Sequence, residues 1–349
     1  MRKFCEPYLH RDGACTAAVR SLDGRAAISA RLTDRMGFGC GRLRAGLEER
    51  NSRRLIDAAL DCGIRYFDTA PSYGDGASER VLGLCLRQMW AQVAICTKIG
   101  FPRSNANAAV AAARALLRAA VKPIQRRLVR RGRAAQAAAG KAPAGPAVHG
   151  RFDAASLHAD VQASLEALQT DRVDCLMLHE PRLTDPTPDL SAALRGLVTA
   201  GTAVRIGVGT GSAIEMLPRY GDVAQAVLTP SLLNGEDSRA LIVHGLFRGF
   251  REQDIERCAA EAGLLDSIPS LRRLLRSEAG PSALLMNCAL LGSRVERLLW
   301  STSSVTRLRR VLAAAEGVHD EIRGAWSIER EAKLADTMRR YAYGAQAAR

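Results

Sequence analysis

The sequence predicts an α/β protein with a single domain, a (β/α)8 TIM barrel that carries a basic insertion after its third strand. Between residues 36 and 316, short apolar runs rich in β-branched residues alternate with longer stretches of helical periodicity. That alternation is typical of a parallel sheet covered by helices, and eight β–α units imply closure into a barrel. A chain of 349 residues is long enough for one such domain.

Each strand is predicted from a short apolar run, and each helix from apolar residues spaced three or four positions apart. The predicted strands cover residues 36–40, 64–70, 93–99, 173–180, 204–210, 223–230, 240–246 and 297–303. The predicted helices cover residues 47–63, 78–89, 157–170, 189–201, 281–292 and 305–316. Gly63 and Gly201 are expected to end two of these helices, and Ser78 is expected to cap the start of another.

Three segments lie outside the β–α units. Residues 1–35 are expected to form an N-terminal extension with a short hairpin near residues 27–34, and residues 317–349 one amphipathic C-terminal helix. The insertion, residues 101–152, is rich in alanine and arginine, and residues 102–152 contain eleven arginines and lysines and no acid. It is interpreted as a lid that attracts an anionic substrate or cofactor phosphates, as an arginine-rich insertion with no role at the site, or as a contact for anionic lipid or a partner protein.

Composition excludes several classes of function. The net charge of +14 is concentrated in the insertion, which lacks interleaved aromatics and any reader motif, so no nucleic-acid partner is expected. No apolar run approaches the roughly 18 residues of a membrane span, and no signal peptide is recognisable. The nine cysteines are scattered and include no CxxC pair, so neither a metal site nor a disulfide framework is expected, and a reducing cytoplasm fits them best.

Four polar side chains are predicted to meet at one face of the barrel. Asp68, Lys98 and His179 end the second, third and fourth strands, and Tyr73 lies in the loop after the second strand. Because the carboxyl ends of all barrel strands open on the same face, where active sites lie, these groups are expected to be neighbours. Each residue alone also has a purely structural interpretation. Asp68 could bond its own loop backbone, Tyr73 could pack on the barrel rim, Lys98 could be a solvated strand end, and His179 could be a structural histidine with its hydrogen bonds made.

Together the four residues suit the reduction of a carbonyl group. A hydride that reaches the carbonyl carbon leaves negative charge on the oxygen, so a positioned acid must supply a proton. Tyr73 can do so if its pKa, ordinarily near 10, is lowered by a nearby ammonium group. Lys98 can be that ammonium, Asp68 can hold it in place, and His179 can donate a hydrogen bond to the substrate oxygen.

The same segments resemble the aldo-keto reductase family over residues 36–316. The run GIRYFDTAPSYGDGASERVLG (63–83) is similar to the family's signature segment, CTKIG (96–100) to its threonine-lysine strand, and residues 153–181 to its next helix and strand. The resemblance implies that Tyr73 is the general acid/base, that Lys98 and Asp68 tune it, and that His179 orients the substrate.

The resemblance also implies a nicotinamide cofactor across the barrel mouth. WSTSSVTRLRRVL (300–312) is similar to the family's phosphate-binding segment, in which Ser303 and Ser304 can bind phosphate at a helix N-terminus. Arg307 and Arg309 can meet a 2′-phosphate, which favours NADP(H) over the alternative NAD(H), although a solvated helix face explains them equally well.

Three further residues are implied to contact the nicotinamide end of the cofactor. Thr210 stands where the family usually has an asparagine, and Gln225 matches its strand-six glutamine. His244 lies near a position where the family often stacks an aromatic ring, and a structural role remains open for it.

The expected function is therefore NADP(H)-dependent hydride transfer to or from a small carbonyl or alcohol substrate. A sugar (aldose) dehydrogenase working in the oxidising direction is the alternative within the same chemistry, because the four residues do not set direction. A weakly active NADP(H)-binding sensor or partner subunit is the alternative of another class. The sequence gives no indication of oligomeric state.

Overall fold

Eight parallel strands form a closed barrel in the computed structural model, and the eighth strand pairs with the first. The structure describes residues 31–103, 150–182, 184–185, 187–209, 223–227, 240–246, 252–291, 295–338 and 340. The strands are β1 (Met36–Gly39), β2 (Tyr66–Asp68), β3 (Ala94–Ile99), β4 (Val173–His179), β5 (Ala203–Gly209), β6 (Val223–Val227), β7 (Ala240–His244) and β8 (Val295–Trp300). The predicted (β/α)8 barrel is confirmed, and each predicted strand overlaps an observed one.

Helices cover the outside of this barrel. The described helices are α1 (Glu49–Asp61), α2 (Ser78–Leu86), α3 (Ala154–Leu168), α4 (Pro188–Thr199), α5 (Glu252–Glu261), α6 (Leu264–Ser267), α7 (Ser270–Leu275), α8 (Gly280–Leu291), α9 (Val305–Glu316), α10 (His319–Ala325) and α11 (Ile328–Met338). None of the described helices is long and apolar enough to cross a membrane. No group of three or more potential metal ligands occurs among the described residues.

Several expectations about local structure need correction. Beyond residue 317 the described chain forms two helices, α10 and α11, because the backbone is extended at Trp326 and interrupts the single predicted helix. Within the predicted hairpin, Leu32–Arg35 is a 3-10 helix. Helices α5, α6 and α7 were not predicted from the sequence. The hairpin's earlier residues, most of the basic insertion (104–149) and the chain beyond residue 340 lie outside the described residues.

Side chains of the strands point alternately into the barrel and outward to the helices. A continuous apolar layer fills the space between strands and helices. A smaller buried cluster fills the barrel interior and includes Tyr66, Cys96, Met177 and Leu299. Because interior positions alternate along each strand, Asp68 and Lys98 project into the same interior one step nearer the carboxyl ends.

Helix α2 lies very close to α3 at Gly83. A Cβ atom on Gly83 would overlap the backbone carbonyl oxygen of Leu168, the last residue of α3. Only glycine permits this close approach between α2 and the C-terminal end of α3. The structure also confirms Gly63 and Gly201 at the ends of α1 and α4, each with a positive φ.

Candidate active site

A buried ion pair lies at the carboxyl ends of β2 and β3. Lys98 Nζ donates to Asp68 Oδ1 at 2.5 Å and to the backbone oxygen of Thr69 at 3.0 Å. The two charged side chains are only 2% and 4% exposed. Burial alone would lower the pKa of Lys98, but the adjacent Asp68 carboxylate raises it above its usual range. Lys98 is therefore a fixed ammonium group at neutral pH.

The Tyr73 ring lies beside this ammonium group. Lys98 Nζ is 5.1 Å from the centre of the ring, within reach of a cation–π contact. The charge of Lys98 is the largest single influence on the pKa of Tyr73 and lowers it, as the sequence analysis expected. Burial and the Asp68 carboxylate act in the opposite direction and together raise that pKa above its usual value. The expected net lowering is thus wrong, and the phenol is protonated at neutral pH.

His179 ends β4 and completes the group. Its ring meets the Tyr73 ring edge-on, with 5.8 Å between centroids. Burial lowers the pKa of His179 to about 4, and the charge of Lys98 contributes in the same direction. The imidazole is therefore neutral at pH 7, and its buried Nδ1 has no hydrogen-bond partner among the residues that the structure describes. All four residues predicted for the chemistry meet at the carboxyl end of the barrel.

Phe101 is a fifth residue of the site and was not predicted from the sequence. Its ring packs edge-on against His179 at a centroid distance of 5.2 Å. Phe101 follows β3 directly, three residues after Lys98. An aromatic residue just beyond a lysine-bearing strand was the available signal, but a lone aromatic residue has no periodic pattern. The ring forms an apolar wall next to the imidazole.

The turn that carries Tyr73 packs tightly against the loop after β1. Tyr73–Gly76 forms a 3-10 turn, and Gly74 in it has a φ of +66°, which favours glycine. A Cβ atom on Gly74 would also overlap the backbone oxygen of Leu43, in the loop after β1. These two constraints leave Tyr73 little freedom to move away from Lys98.

Ser78 stabilises the same region in a way that the sequence did not predict. It is the first residue of α2, and its side chain caps no backbone group at the helix start. Instead its hydroxyl donates to the backbone oxygen of Cys40 at 3.0 Å and lies 3.0 Å from Thr69 Oγ1. Ser78 therefore joins the loop after β1 to the end of β2.

The residues predicted to contact the nicotinamide divide into two groups. Thr210 lies outside the described residues. Gln225 is in register with Gly209 across β5 and β6 and is 4% exposed, and its Oε1 has no hydrogen-bond partner in the described part of the chain. A Cβ atom on Gly209 would lie 3.6 Å from Lys98 Cε and 3.7 Å from Gln225 Oε1, so Gln225 shares the interior space around Lys98. His244 ends β7 and is half-buried.

The residues predicted to bind phosphate lie at the start of α9. Ser303 and Ser304 are exposed, and Ser304 caps the helix by accepting the Arg307 backbone N–H at 3.2 Å. The Arg307 side chain is exposed beside this cap. Arg309 instead donates to Asp61 at 2.7 Å, at the C-terminal end of α1. The two arginines therefore differ: among the described residues Arg309 pairs with Asp61 at the end of α1, whereas Arg307 forms no ion pair.

Comparison with known proteins identifies the family and the fold. The family model described as the aldo/keto reductase family matches residues 35–236. The chain is 29% identical over 196 residues to the aldo-keto reductase YhdN of Bacillus subtilis (strain 168), covering 54% of this chain and 47% of that protein. It is 30% identical over 210 residues to D-threo-aldose 1-dehydrogenase of a Pseudomonas species, covering 55% and 54%. The matched part is thus about half the length of each relative.

Solved structures share the fold. The holo form of aldo-keto reductase AKR11C1 from Bacillus halodurans superposes with a TM-score of 0.57 at 20% identity, covering 87% of this chain and 91% of that one. Glycerol dehydrogenase AKR11B4 from Gluconobacter oxydans superposes with a TM-score of 0.56 at 18% identity, covering 88% and 92%. At these identities the likeness concerns the barrel alone.

Proposed function

The chain belongs to the aldo/keto reductase family, and on that basis we propose that it transfers hydride between NADP(H) and a small carbonyl or alcohol substrate, with Tyr73 as general acid/base. The observation that carries this proposal is the buried Lys98–Asp68 pair beneath the Tyr73 ring. A buried charge pair is costly to maintain, and one placed beside a protonated phenol at a barrel mouth is suited to proton transfer.

The residues at the mouth fit a nicotinamide cofactor. Gln225 Oε1 is a buried acceptor that no donor of the described residues reaches, and a carboxamide N–H would satisfy it. Thr210 and His244 are proposed to contact the same end of the cofactor. At the other end, the hydroxyls of Ser303 and Ser304 and the N-terminus of α9 are suited to phosphate oxygens. When bound, the cofactor supplies or accepts the hydride.

Arg307 favours NADP(H) over NAD(H). Its guanidinium is exposed next to the capped helix start, where it can pair with a 2′-phosphate. Arg309 was an equal candidate in the sequence, but its pairing with Asp61 makes it less suited to this role. We therefore assign the phosphate contact to Arg307 first.

The protein's own groups perform the proton transfer. Tyr73 is protonated at neutral pH and can donate its proton to the carbonyl oxygen as that oxygen becomes negative. The Lys98 ammonium then stabilises the phenolate that remains, and Asp68 keeps that ammonium in place. Neutral His179 can donate one N–H to the same oxygen and so orient it. Phe101 packs edge-on against this imidazole and supports its orientation.

Stopped-flow oxidation of NADPH across a panel of aldehydes and ketones, for wild type and Tyr73→Phe, tests the proposal. Loss of a general acid is expected to slow the chemical step by about 10²- to 10⁴-fold while NADPH affinity is kept. Tyr66→Phe is the matched control, because Tyr66 lies on β2 in the buried barrel interior and its hydroxyl has no hydrogen-bond partner among the described residues. Equal rates in Tyr73→Phe and wild type would refute the assignment, as would NADPH binding without turnover of any substrate.

Oxidation of an aldose is the second candidate, favoured by the similarity to D-threo-aldose 1-dehydrogenase. Because oxidation needs the phenolate form of Tyr73 and its pKa is raised, this direction should speed up as pH rises. Initial rates with NADP+ and a set of aldoses, measured beside the reductive assay at each pH, separate the two directions. Higher kcat/KM for aldoses at neutral pH would favour the dehydrogenase.

A further inference from the structure

A second ion pair, with a fully buried carboxylate, lies next to the candidate active site on the outer side of β3. Arg103 Nη2 donates to Glu79 Oε2 at 2.5 Å, and the Glu79 side chain is fully buried. Neither residue touches the proposed reacting atoms. Glu79 is the second residue of α2, and Arg103 follows β3, so the pair joins two segments that each leave the barrel next to a catalytic group.

The carboxylate of Glu79 reaches the strand that carries Lys98. Thr97 Oγ1 donates to Glu79 Oε1 at 2.6 Å, and Thr97 is the residue immediately before Lys98. Since side chains alternate along a strand, Thr97 faces outward to α2 while Lys98 faces the barrel interior. Glu79 therefore holds β3 from outside at the point where Lys98 projects inward.

The guanidinium of Arg103 reaches the turn that carries Tyr73. Arg103 Nη1 donates to the backbone oxygen of Gly76, the last residue of the Tyr73 turn, at 3.1 Å. Arg103 Nη2 also donates to the backbone oxygen of Ala163, on α3, at 3.2 Å. One side chain thus binds the tyrosine turn, a neighbouring helix and the carboxylate that holds the lysine strand.

We propose that Arg103 and Glu79 are positioning residues that set the separation between the Tyr73 phenol and the Lys98 ammonium. The proposal rests on the proposed function for the roles of those two groups. Residues 69–72 connect the Tyr73 turn to β2, which pairs with β3, and the Arg103–Glu79 pair adds a second connection between the turn and β3, so the phenol–ammonium distance depends on both. In this pair the two Nη atoms of the planar Arg103 guanidinium donate to separate acceptors in a fixed arrangement, which a lysine ammonium could not reproduce.

The electrostatics explain why a charge pair holds this place. Glu79 has no access to water, and burial is the largest influence on its pKa, which is raised. Without Arg103 the carboxyl group would take up a proton or move toward water, and its bond to Thr97 would change. The charge pair therefore makes the position of β3 depend on the position of the Tyr73 turn.

The test compares Arg103→Met with Arg205→Met. Arg205 forms a similar half-buried pair with Glu296, at 2.8 and 3.0 Å, but at the opposite end of the barrel. Both variants are expected to lose thermal stability. Arg103→Met alone is expected to lower kcat by about tenfold or more, with the KM for NADPH unchanged, because small misplacements of reacting groups slow chemistry steeply. Arg103→Lys is expected to rescue kcat only in part.

The pH profile gives a reading that a purely structural role would not change. A less well-placed ammonium lowers the pKa of Tyr73 less, so the limb of alcohol oxidation that depends on the phenolate should move to higher pH in Arg103→Met. In Arg205→Met it should stay where wild type has it. Identical kcat values and profiles in the two variants would overturn the proposal.

Two further measurements keep this result separate from the proposed function. The pKa of Tyr73 can be read without turnover, from the ultraviolet phenolate titration of each protein minus that of its Tyr73→Phe version. A rise in that pKa in Arg103→Met supports positioning even if no substrate is turned over, and no change contradicts it. If Arg103→Met does not fold, the double variant Arg103→Met/Glu79→Gln removes the unpaired buried charge and undergoes the same titration, with the same two outcomes.

Discussion

Lys98 donates a 2.5 Å hydrogen bond to Asp68 inside the barrel, where both side chains are almost completely removed from water. Neither charge could remain at this depth alone, because an isolated buried ion costs several kcal/mol. The pair is therefore one unit, and it raises the pKa of Lys98 although burial opposes this. The same carboxylate that secures the lysine also raises the pKa of Tyr73. Asp68 thus acts on both partners of the proposed proton transfer.

We expect Asp68→Leu to reduce the free energy of unfolding by about 3–5 kcal/mol, because it leaves the Lys98 ammonium buried and uncompensated. The double variant Asp68→Leu/Lys98→Met should recover much of this loss, since no charge remains to be buried, yet it should stay inactive. Urea denaturation of wild type, both single variants and the double variant gives the coupling. A double variant as unstable as the sum of the singles would contradict the paired description.

Gly74→Ala should disturb the Tyr73 turn. Its φ of +66° and the overlap of a new Cβ with the Leu43 carbonyl oxygen both oppose alanine, and the chain must move to accept it. We expect a loss of about 1–3 kcal/mol in the free energy of unfolding together with a lower kcat. Thermal melting and steady-state kinetics measure the two effects.

Gly46→Ala is the matched control for that substitution. Gly46 has a φ of +64°, but a Cβ there would meet no atom within 4 Å. It should lose stability through backbone strain alone, by about 1 kcal/mol, with kcat unchanged. If Gly74→Ala kept full kcat, the contact with Leu43 would not position Tyr73.

Much of the fold and the polar site could be predicted from the sequence, because both depend on local patterns. Short apolar runs identify the strands, and strand ends identify Asp68, Lys98 and His179 as neighbours without any coordinates. The direction of the pKa change at Tyr73 could not be predicted in this way. It depends on how far burial and Asp68 outweigh Lys98, which is a property of packing.

Contacts between residues far apart in the chain could not be predicted from the sequence either. Arg309 resembles a phosphate ligand by its spacing, but its partner Asp61 lies 248 positions away. Ser78 has the residue type and place of a helix cap, yet it bonds Cys40 across 38 positions. Phe101 belongs to the site only because the ends of β3 and β4 lie side by side. Each of these depends on contacts between separate β–α units rather than on the residue's own segment.

Gly83→Ala should destabilise the protein strongly. The new Cβ would overlap the carbonyl oxygen of Leu168, and two backbones would have to separate along the α2–α3 contact. We expect a loss of more than about 2 kcal/mol in the free energy of unfolding, as for other overpacked sites. Gly196→Ala, in α4 with open space around it, should instead gain up to about 1 kcal/mol from helix propensity. Chemical denaturation measures the free energy of unfolding of both variants. A change of similar size and the same sign in the two would refute the packing argument.

Arg307→Ala should weaken NADPH binding by about tenfold and leave NADH binding unchanged, because only NADPH carries the 2′-phosphate. Arg309→Ala should change neither affinity by much, since that guanidinium pairs with Asp61. Fluorescence titration with both nucleotides measures the dissociation constants. Equal losses for the two nucleotides in Arg307→Ala, or a larger loss in Arg309→Ala, would reassign the phosphate contact.

His179 should make the stability of the protein depend on pH in a defined window. Because burial lowers its pKa to about 4, the folded protein binds fewer protons than the unfolded chain between pH 4 and the ordinary value of 6.5. The free energy of unfolding should therefore fall as pH drops through this window, by about 3 kcal/mol for this group, and be constant above it.

His179→Gln should remove that part of the slope. His158→Gln, on the exposed face of α3, should keep it. Urea denaturation at several pH values measures all three proteins, and parallel curves for wild type and His179→Gln would show that the imidazole is not held neutral by burial.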